Sequence, residues 1–261
     1  MKKFIFLTFL AFIALPVQAA SVNATDLVPG DLIRGSAHNA VYYYAQDGMR
    51  YVFPNEKTYH TWYPDFSQVK WISDADLATV QIGGNVTYKP GVKLIKIISS
   101  PVVYAVSAHE QLRAVASEQL AKELYGEQWN TWVDDVPDEF FSNYQVEAPL
   151  DVASTYNPKA ETADAYSVQN QKQIKPFVSV SITDSGYELP TTTVAHHTAV
   201  RFVNNSSQSA TASEWDSVWG TGTLKPGEHF TRYFKEDAMG RWNFYNKYKS
   251  KETMQGTLVV E

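Results

Sequence analysis

Two stretches of this chain repeat one another, and that repeat limits its fold more than any other feature. Val41-Tyr42-Tyr43-Tyr44, then Gly48-Met49-Arg50-Tyr51-Val52-Phe53, matches Val103-Tyr104-Ala105-Val106, then Leu112-Arg113-Ala114-Val115, about 63 residues later. In each copy alternating apolar positions flank a polar turn, AQDG or SAHEQ, which is the pattern of a β-hairpin. A helix start follows each hairpin. Asn55 and Ser117 stand as N-caps, Tyr59 with Trp62 and Tyr63, or Leu120 with Leu124, supply one apolar face, and Gly126 marks a stop. The tails correspond as well: Val69-x-x-Ile72-Ser73-Asp74-x-x-Leu77 against Val133-x-x-Val136-Pro137-Asp138-x-x-Phe141. Together they predict an N-terminal domain, residues 27–144, built from a duplicated hairpin-plus-helix unit, with further strands around a Lys89-Pro90-Gly91 turn between the copies.

Beyond that domain the composition shifts. Residues 145–176 are rich in Ala, Asp, Gln, Asn and Thr and lack a sustained apolar period, which reads as a linker. From 177 to 261 short alternating apolar stretches return between Gly, Pro, Asn and Ser. The fold class expected is mainly β with short helices.

The first twenty residues, MKKFIFLTFLAFIALPVQAA, join a basic start to an apolar run and then small residues, the order of a cleavable secretory signal. The run is short for a membrane span, and no later segment approaches that length. The expected location is therefore outside the cytoplasm: secreted, periplasmic or at the cell surface. An exported chain with 0 Cys uses no disulfides and depends on packed cores, for which 16 Tyr, 13 Phe and 7 Trp provide material. Loss of Lys2 and Lys3 with the leader takes the formal charge from -6 to about -8, which argues against nucleic acid or an anionic membrane as partner.

The repeat resembles modules of bacterial extracellular and cell-surface proteins, with a pattern like V-Y-x-x-x-x-x-G-x-R-x-x-F/I-P before an aromatic helix. The second copy departs at Ser117, where the first has Pro54, and at Gln111, where the first has Gly48. The resemblance implies an exported structural or attachment module. Alternation puts Tyr42 and Tyr44 on one face of their strand and Tyr43 on the other. Tyr42, Tyr44, Tyr59, Trp62 and Tyr63 either fill a core or form a binding patch that stacks on a glycan or a cell-surface protein; Trp129 and Trp132 of the second copy pose the same choice.

The C-terminal stretch resembles the cupredoxins. Tyr187-Glu188-Leu189-Pro190 with Val194 is similar to that family's opening strand, and Val200-Arg201-Phe202-Val203-Asn204-Asn205 to its V-x-F-x-N strand. Leu224-Lys225-Pro226-Gly227-Glu228 is similar to the turn before a strand at His229 to Phe234. Gly240-Arg241-Trp242-Asn243-Phe244-Tyr245 is similar to G-x-Y-x-Y-x, and Met254-Gln255-Gly256-Thr257-Leu258-Val259-Val260 to M-x-G-x-I-V-V. The resemblance implies a Greek-key β-sandwich. A blue-copper site needs two imidazoles, a thiolate and a weak axial thioether. Carried over by position, the first His falls at Ala210, the Cys at Asn246 and the second His at Lys249, and Met254 alone remains. The expectation is a sandwich without type-1 copper and without a cofactor.

The alternative is a non-standard copper or redox site using His196, His197, His229 or Met254. As neighbours on a strand, His196 and His197 would point to opposite faces and not chelate one ion together. No G-x-S-x-G, H-E-x-x-H, Walker or G-x-G-x-x-G motif is present. The acids Asp134, Asp135, Asp138 and Glu139 lack EF-hand spacing and read as a turn and helix N-terminus. The function expected is therefore non-catalytic: binding or structure in the extracytoplasmic space.

Overall fold

Alternation along the hairpin strands sorts their side chains onto two faces, and both faces are covered. The computed structural model describes residues 21–261, so the expected leader lies outside the described residues. The first unit comprises strands β1 (Leu32–Arg34), β2 (Tyr42–Tyr44) and β3 (Arg50–Val52), helix α1 (Glu56–Trp62), β4 (Val69–Trp71), α2 (Asp74–Thr79) and β5 (Ile82–Asn85). Its sheet runs β4-β1-β2-β3-β5. Leu32, Tyr43 and Tyr51 pack on one side with Phe53 and Tyr59, while Ile33, Tyr42 and Tyr44 pack on the other with Leu27, Ile72, Leu77 and Val80.

The second unit repeats that order of elements: β6 (Leu94–Ile97), β7 (Tyr104–Ser107), β8 (Gln111–Val115), α3 (Glu118–Tyr125), β9 (Val133–Val136), α4 (Asp138–Phe141) and β10 (Gln145–Leu150). Its sheet, β10-β8-β7-β6-β9, is the same arrangement read from the other edge. The parallel pairs agree residue for residue, Leu32 with Val69 and Leu94 with Val133. Local chemistry sets the helix ends. The Asn55 side chain accepts from Thr58 N, Ser73 from Asp76 N and Ser117 from Leu120 N, while Gly126 closes α3 at a φ of 87°.

The segment expected as a linker is folded. Within residues 145–176, β10 pairs with β8. Helices α5 (Pro158–Asp164) and α6 (Val168–Gln171) follow, and Leu150, Tyr156, Val168 and Gln171 are buried. Helix α6 and the residues after it hold the hairpin tips of both units. Gln169 Oε1 accepts from Gln46 N at 3.3 Å, and the Gln46 carboxamide donates to Ile174 O. Gln171 Oε1 accepts from His109 N at 2.9 Å, its Nε2 donates to Ser107 O at 3.1 Å, and Lys172 pairs with Glu110. His109 and Glu110 sit at φ 60° and 62°, a backbone conformation that costs a non-glycine residue about 1–2 kcal/mol and needs such contacts to persist. Polar composition hid this role, because these side chains serve turn backbones rather than an apolar face.

The C-terminal sandwich carries β11 (Val178–Thr183), β12 (Gly186–Tyr187), β13 (Thr191–Val194), β14 (Thr198–Asn204), β15 (Ser213–Glu214), β16 (His229–Phe234), β17 (Gly240–Tyr245) and β18 (Gln255–Val260). Its two sheets run β12-β11-β14-β16 and β13-β18-β17-β15. Period-2 alternation sends Val180, Ile182, Val200, Phe202, Phe234, Phe244, Leu258 and Val260 into one core around Trp219. Phe202 and Phe244 meet edge to face at 5.5 Å, and each such buried ring is worth about 3–5 kcal/mol against alanine.

The sandwich contacts the first unit directly. Arg201 donates to Gly48 O at 2.9 Å and Thr231 Oγ1 at 3.0 Å, with its guanidinium carbon 4.0 Å from the Phe177 ring centroid. The Gln81 carboxamide donates to Thr231 O at 3.0 Å and accepts from Thr231 N, pairing with β16 as a strand backbone would.

Candidate functional site

Two buried asparagines organise the end of the sandwich where β14 and β17 run out. Asn204, at the end of β14, donates through Nδ2 to Gln208 O and Leu224 O, both at 2.8 Å. Its Oδ1 accepts from Ser206 N at 3.0 Å and Ser206 Oγ at 2.6 Å. Asn246 follows β17. Its Oδ1 accepts from Thr211 N at 3.2 Å and Tyr248 N at 3.1 Å, and its Nδ2 donates to Met254 Sδ at 3.3 Å. Thr211 completes the network: Oγ1 accepts from Lys247 N at 2.9 Å, and its carbonyl accepts from the Tyr187 hydroxyl at 2.6 Å. Burial of that hydroxyl raises the Tyr187 pKa above the ordinary tyrosine range and keeps the donor protonated.

The positions carried over from the copper site do gather here. Asn246 and Met254 are in contact, Lys249 lines the same cleft of about 320 Å³ with Asp184 and Tyr248, and Ala210 packs in the core beside Met254. The groups themselves do not fit copper. Ala210 offers no side-chain donor, Lys249 brings an ammonium, the Asn246 carboxamide is already committed to three hydrogen bonds, and Met254 supplies a single soft thioether. Asp184 is engaged as well. Hydrogen bonds from Ser207 N and Oγ, each 2.9 Å, hold its carboxyl below the ordinary carboxylate range.

The histidines are spread along the sandwich. In the β14–β16 register His229 faces Val203, while Phe234, whose carbonyl accepts from His197 N at 2.7 Å, faces Thr198. Five residues of strand, roughly 17 Å, therefore separate His229 from the His196–His197 pair. That pair departs from expectation. It lies between β13 and β14 rather than within a strand, and His197 adopts φ 58°, so the two rings approach to 4.9 Å instead of pointing to opposite faces. His197 Nδ1 is 3.4 Å from the Tyr233 hydroxyl, and His196 Nδ1 is buried without a hydrogen-bond partner. Among the described residues no group of three or more His, Asp or Glu side chains stands close enough to hold one metal ion.

His229 opens instead onto a cleft of about 810 Å³ between the first unit and the sandwich, lined also by Tyr44, Thr79, Phe177, Arg201 and Phe230. Burial, with Arg201 nearby, keeps its imidazole below the ordinary histidine range. This cleft was not legible in the sequence, since it exists only where the two domains meet.

Of the two readings of the first unit's aromatics, core or binding patch, the burial favours core. Tyr59 is 1% exposed, and Trp62 and Tyr63 are half-buried in the core that contains Tyr43 and Tyr51. Tyr42 and Tyr44 are half-buried on the opposite face of the sheet. The pleat separates the two sets, and helices and loops cover both. The acidic cluster is likewise divided. Asp134 faces Lys57 and the Tyr88 hydroxyl, Asp135 pairs with Lys96, and Asp138 accepts from Ser99 Oγ at 2.8 Å in the first turn of α4.

No curated protein matches the chain. Among solved structures, a purple cupredoxin from Nitrosopumilus maritimus is 16% identical over 32% of this chain and 99% of its own, with a TM-score of 0.29. An oxidized mutant of amicyanin is 19% identical over 32% of this chain and 81% of its own, at 0.29. A Cu-containing nitrite reductase from Thermus scotoductus SA-01 is 19% identical over 33% of this chain and 23% of its own, at 0.30. The family model described as a cupredoxin-like domain matches residues 159–260, so the C-terminal part of the chain, from α5 to β18, is a cupredoxin-like domain.

Proposed function

We propose that this chain is an exported, non-catalytic binding or structural protein whose cupredoxin-like domain has lost type-1 copper. The observation that carries this reading is Asn246. At the position the resemblance gives to the thiolate, a carboxamide bonds two backbone amides and the Met254 sulfur, so the group that would bind metal is spent on holding the loop. The domain then serves as a scaffold, bonded to the duplicated unit through Arg201 and Gln81. Export is supported by the sequence of residues 1–20. Among the described residues no helix is long and apolar enough to cross a membrane.

Metal analysis of the chain recovered from cells grown with added copper tests this reading. The expected result is a protein beginning near Ser21, found outside the cytoplasm, with no stoichiometric copper. Full-length protein retained inside the cell, or one copper per chain, would overturn it.

A further inference from the structure

The two units provide an internal comparison, since the same fold is built twice from different residues. Counting back from the paired strand residues Val69 and Val133, the first unit has Asp65 and Gln68 where the second has Trp129 and Trp132. The first unit therefore folds with polar side chains at both places. In the first unit the aromatic of this loop, Phe66, stacks on Tyr59 at 4.4 Å and leaves 46% of its surface exposed. In the second unit Trp132 leaves 43% of its surface exposed, and Trp129 is half-buried. Trp129 packs on the core formed by Leu94, Leu120 and Leu150, so the exposed face of Trp132 is the indole surface that packing leaves free for a ligand.

The surroundings indicate what binds. Trp129–Trp132 forms a single 3-10 turn, and side chains three residues apart on such a turn project to the same side. Each tryptophan lines a shallow open cleft. Trp132 stands with Glu123, Tyr125 and Asn157 in one of about 450 Å³, and Trp129 with Ser99, Ser100 and Asn130 in one of about 640 Å³. Lys93 Nζ lies 5.4 Å from the Trp132 ring centroid and helps to hold the indole. A flat apolar plate beside hydroxyl, carboxamide and carboxylate groups complements a pyranose ring, which has an apolar C–H face and a rim of hydroxyls.

The geometry points to an oligosaccharide-binding site on the second unit, with Trp132 as the stacking platform beside Glu123, Tyr125 and Asn157. This inference rests on the non-catalytic binding role proposed above and names its ligand class. A glycan array of neutral and acidic oligosaccharides, probed with the full mature chain and followed by calorimetry with the best-bound glycan, tests it. The comparison proteins are Trp132→Gln, which installs the first unit's residue at the matching position, the double variant Trp129→Phe with Trp132→Gln, which keeps a ring packed on the core, and Trp71→Ala, which removes an exposed indole of the first unit. The prediction is glycan binding that weakens about tenfold or more in each second-unit variant, as for a central interface residue, and is unchanged in Trp71→Ala. No glycan bound above the double variant, or equal binding by all the variants, would each overturn the site. Those failures leave metal content and export untouched, so they are distinguishable from failure of the proposed function.

Discussion

The carboxamide nitrogen of Asn246 donates to the thioether sulfur of Met254 at 3.3 Å, joining the end of β17 to the start of β18 across the loop between them. Both residues are buried, so the contact belongs to the core's polar satisfaction rather than to the surface. Asn246→Ala leaves the Thr211 and Tyr248 amides without their acceptor, at about 1–3 kcal/mol for each group that stays unsatisfied. Met254→Leu, which keeps volume and loses only the weak acceptor, is expected to cost less than about 1.5 kcal/mol. Urea unfolding of the two variants checks the order. Equal losses would mean that the amides find other partners.

Gln171 is the second such clasp. It is 1% exposed and bonds both His109 N and Ser107 O in the tip of the second hairpin. Gln171→Ala is expected to lower unfolding free energy by about 2 kcal/mol, whereas Lys172→Met, which breaks a less buried ion pair, should cost about 1 kcal/mol or less. If Gln171→Ala is neutral in chemical denaturation, the segment contributes no more than a tether.

Gly48 and Gly227 give a paired test of the contact between domains. Both have positive φ, 74° and 82°. A Cβ on Gly227 would meet nothing within 4 Å, while one on Gly48 would lie 1.7 Å from an Arg201 guanidinium nitrogen. Each alanine variant carries the backbone strain of about 1 kcal/mol, and Gly48→Ala must also displace Arg201. Thermal unfolding should therefore place Gly48→Ala below Gly227→Ala. Equal midpoints would show that Arg201 moves aside freely.

His229 predicts a pH dependence. Because burial and Arg201 depress its pKa in the fold, the unfolded chain takes up the proton at higher pH than the folded chain does. Its share of stability is therefore complete above the ordinary histidine value of 6.5 and is lost as pH falls below it through the folded value. His229→Gln should flatten stability between about pH 7 and pH 5 relative to the parent chain. Parallel profiles for the two proteins would remove His229 as a source of the slope.

Local chemistry was the legible part of this fold. Caps at Asn55, Ser73 and Ser117, the stop at Gly126 and the hairpin pairings of Tyr43 with Tyr51 and Val106 with Leu112 follow from side chains a few residues apart. The gathering of Ala210, Asn246, Lys249 and Met254 was legible through resemblance. What the sequence hid depends on contacts distant in the chain. Gln171 meets His109 62 positions away, and Arg201 meets Gly48 153 positions away. Composition reads such polar residues as loop. Aromatic count alone left core and surface open: Tyr59 and Trp62 pack in a core, while Trp132 is 43% exposed.

The most direct test of the central claim is titration of the mature chain with Cu(II) and Cu(I), followed by calorimetry and visible absorption. The account predicts no intense visible band and no binding tighter than about micromolar, some 8 kcal/mol. Stoichiometric binding tighter than that, lost on substituting Met254, His196, His197 or His229, would contradict it.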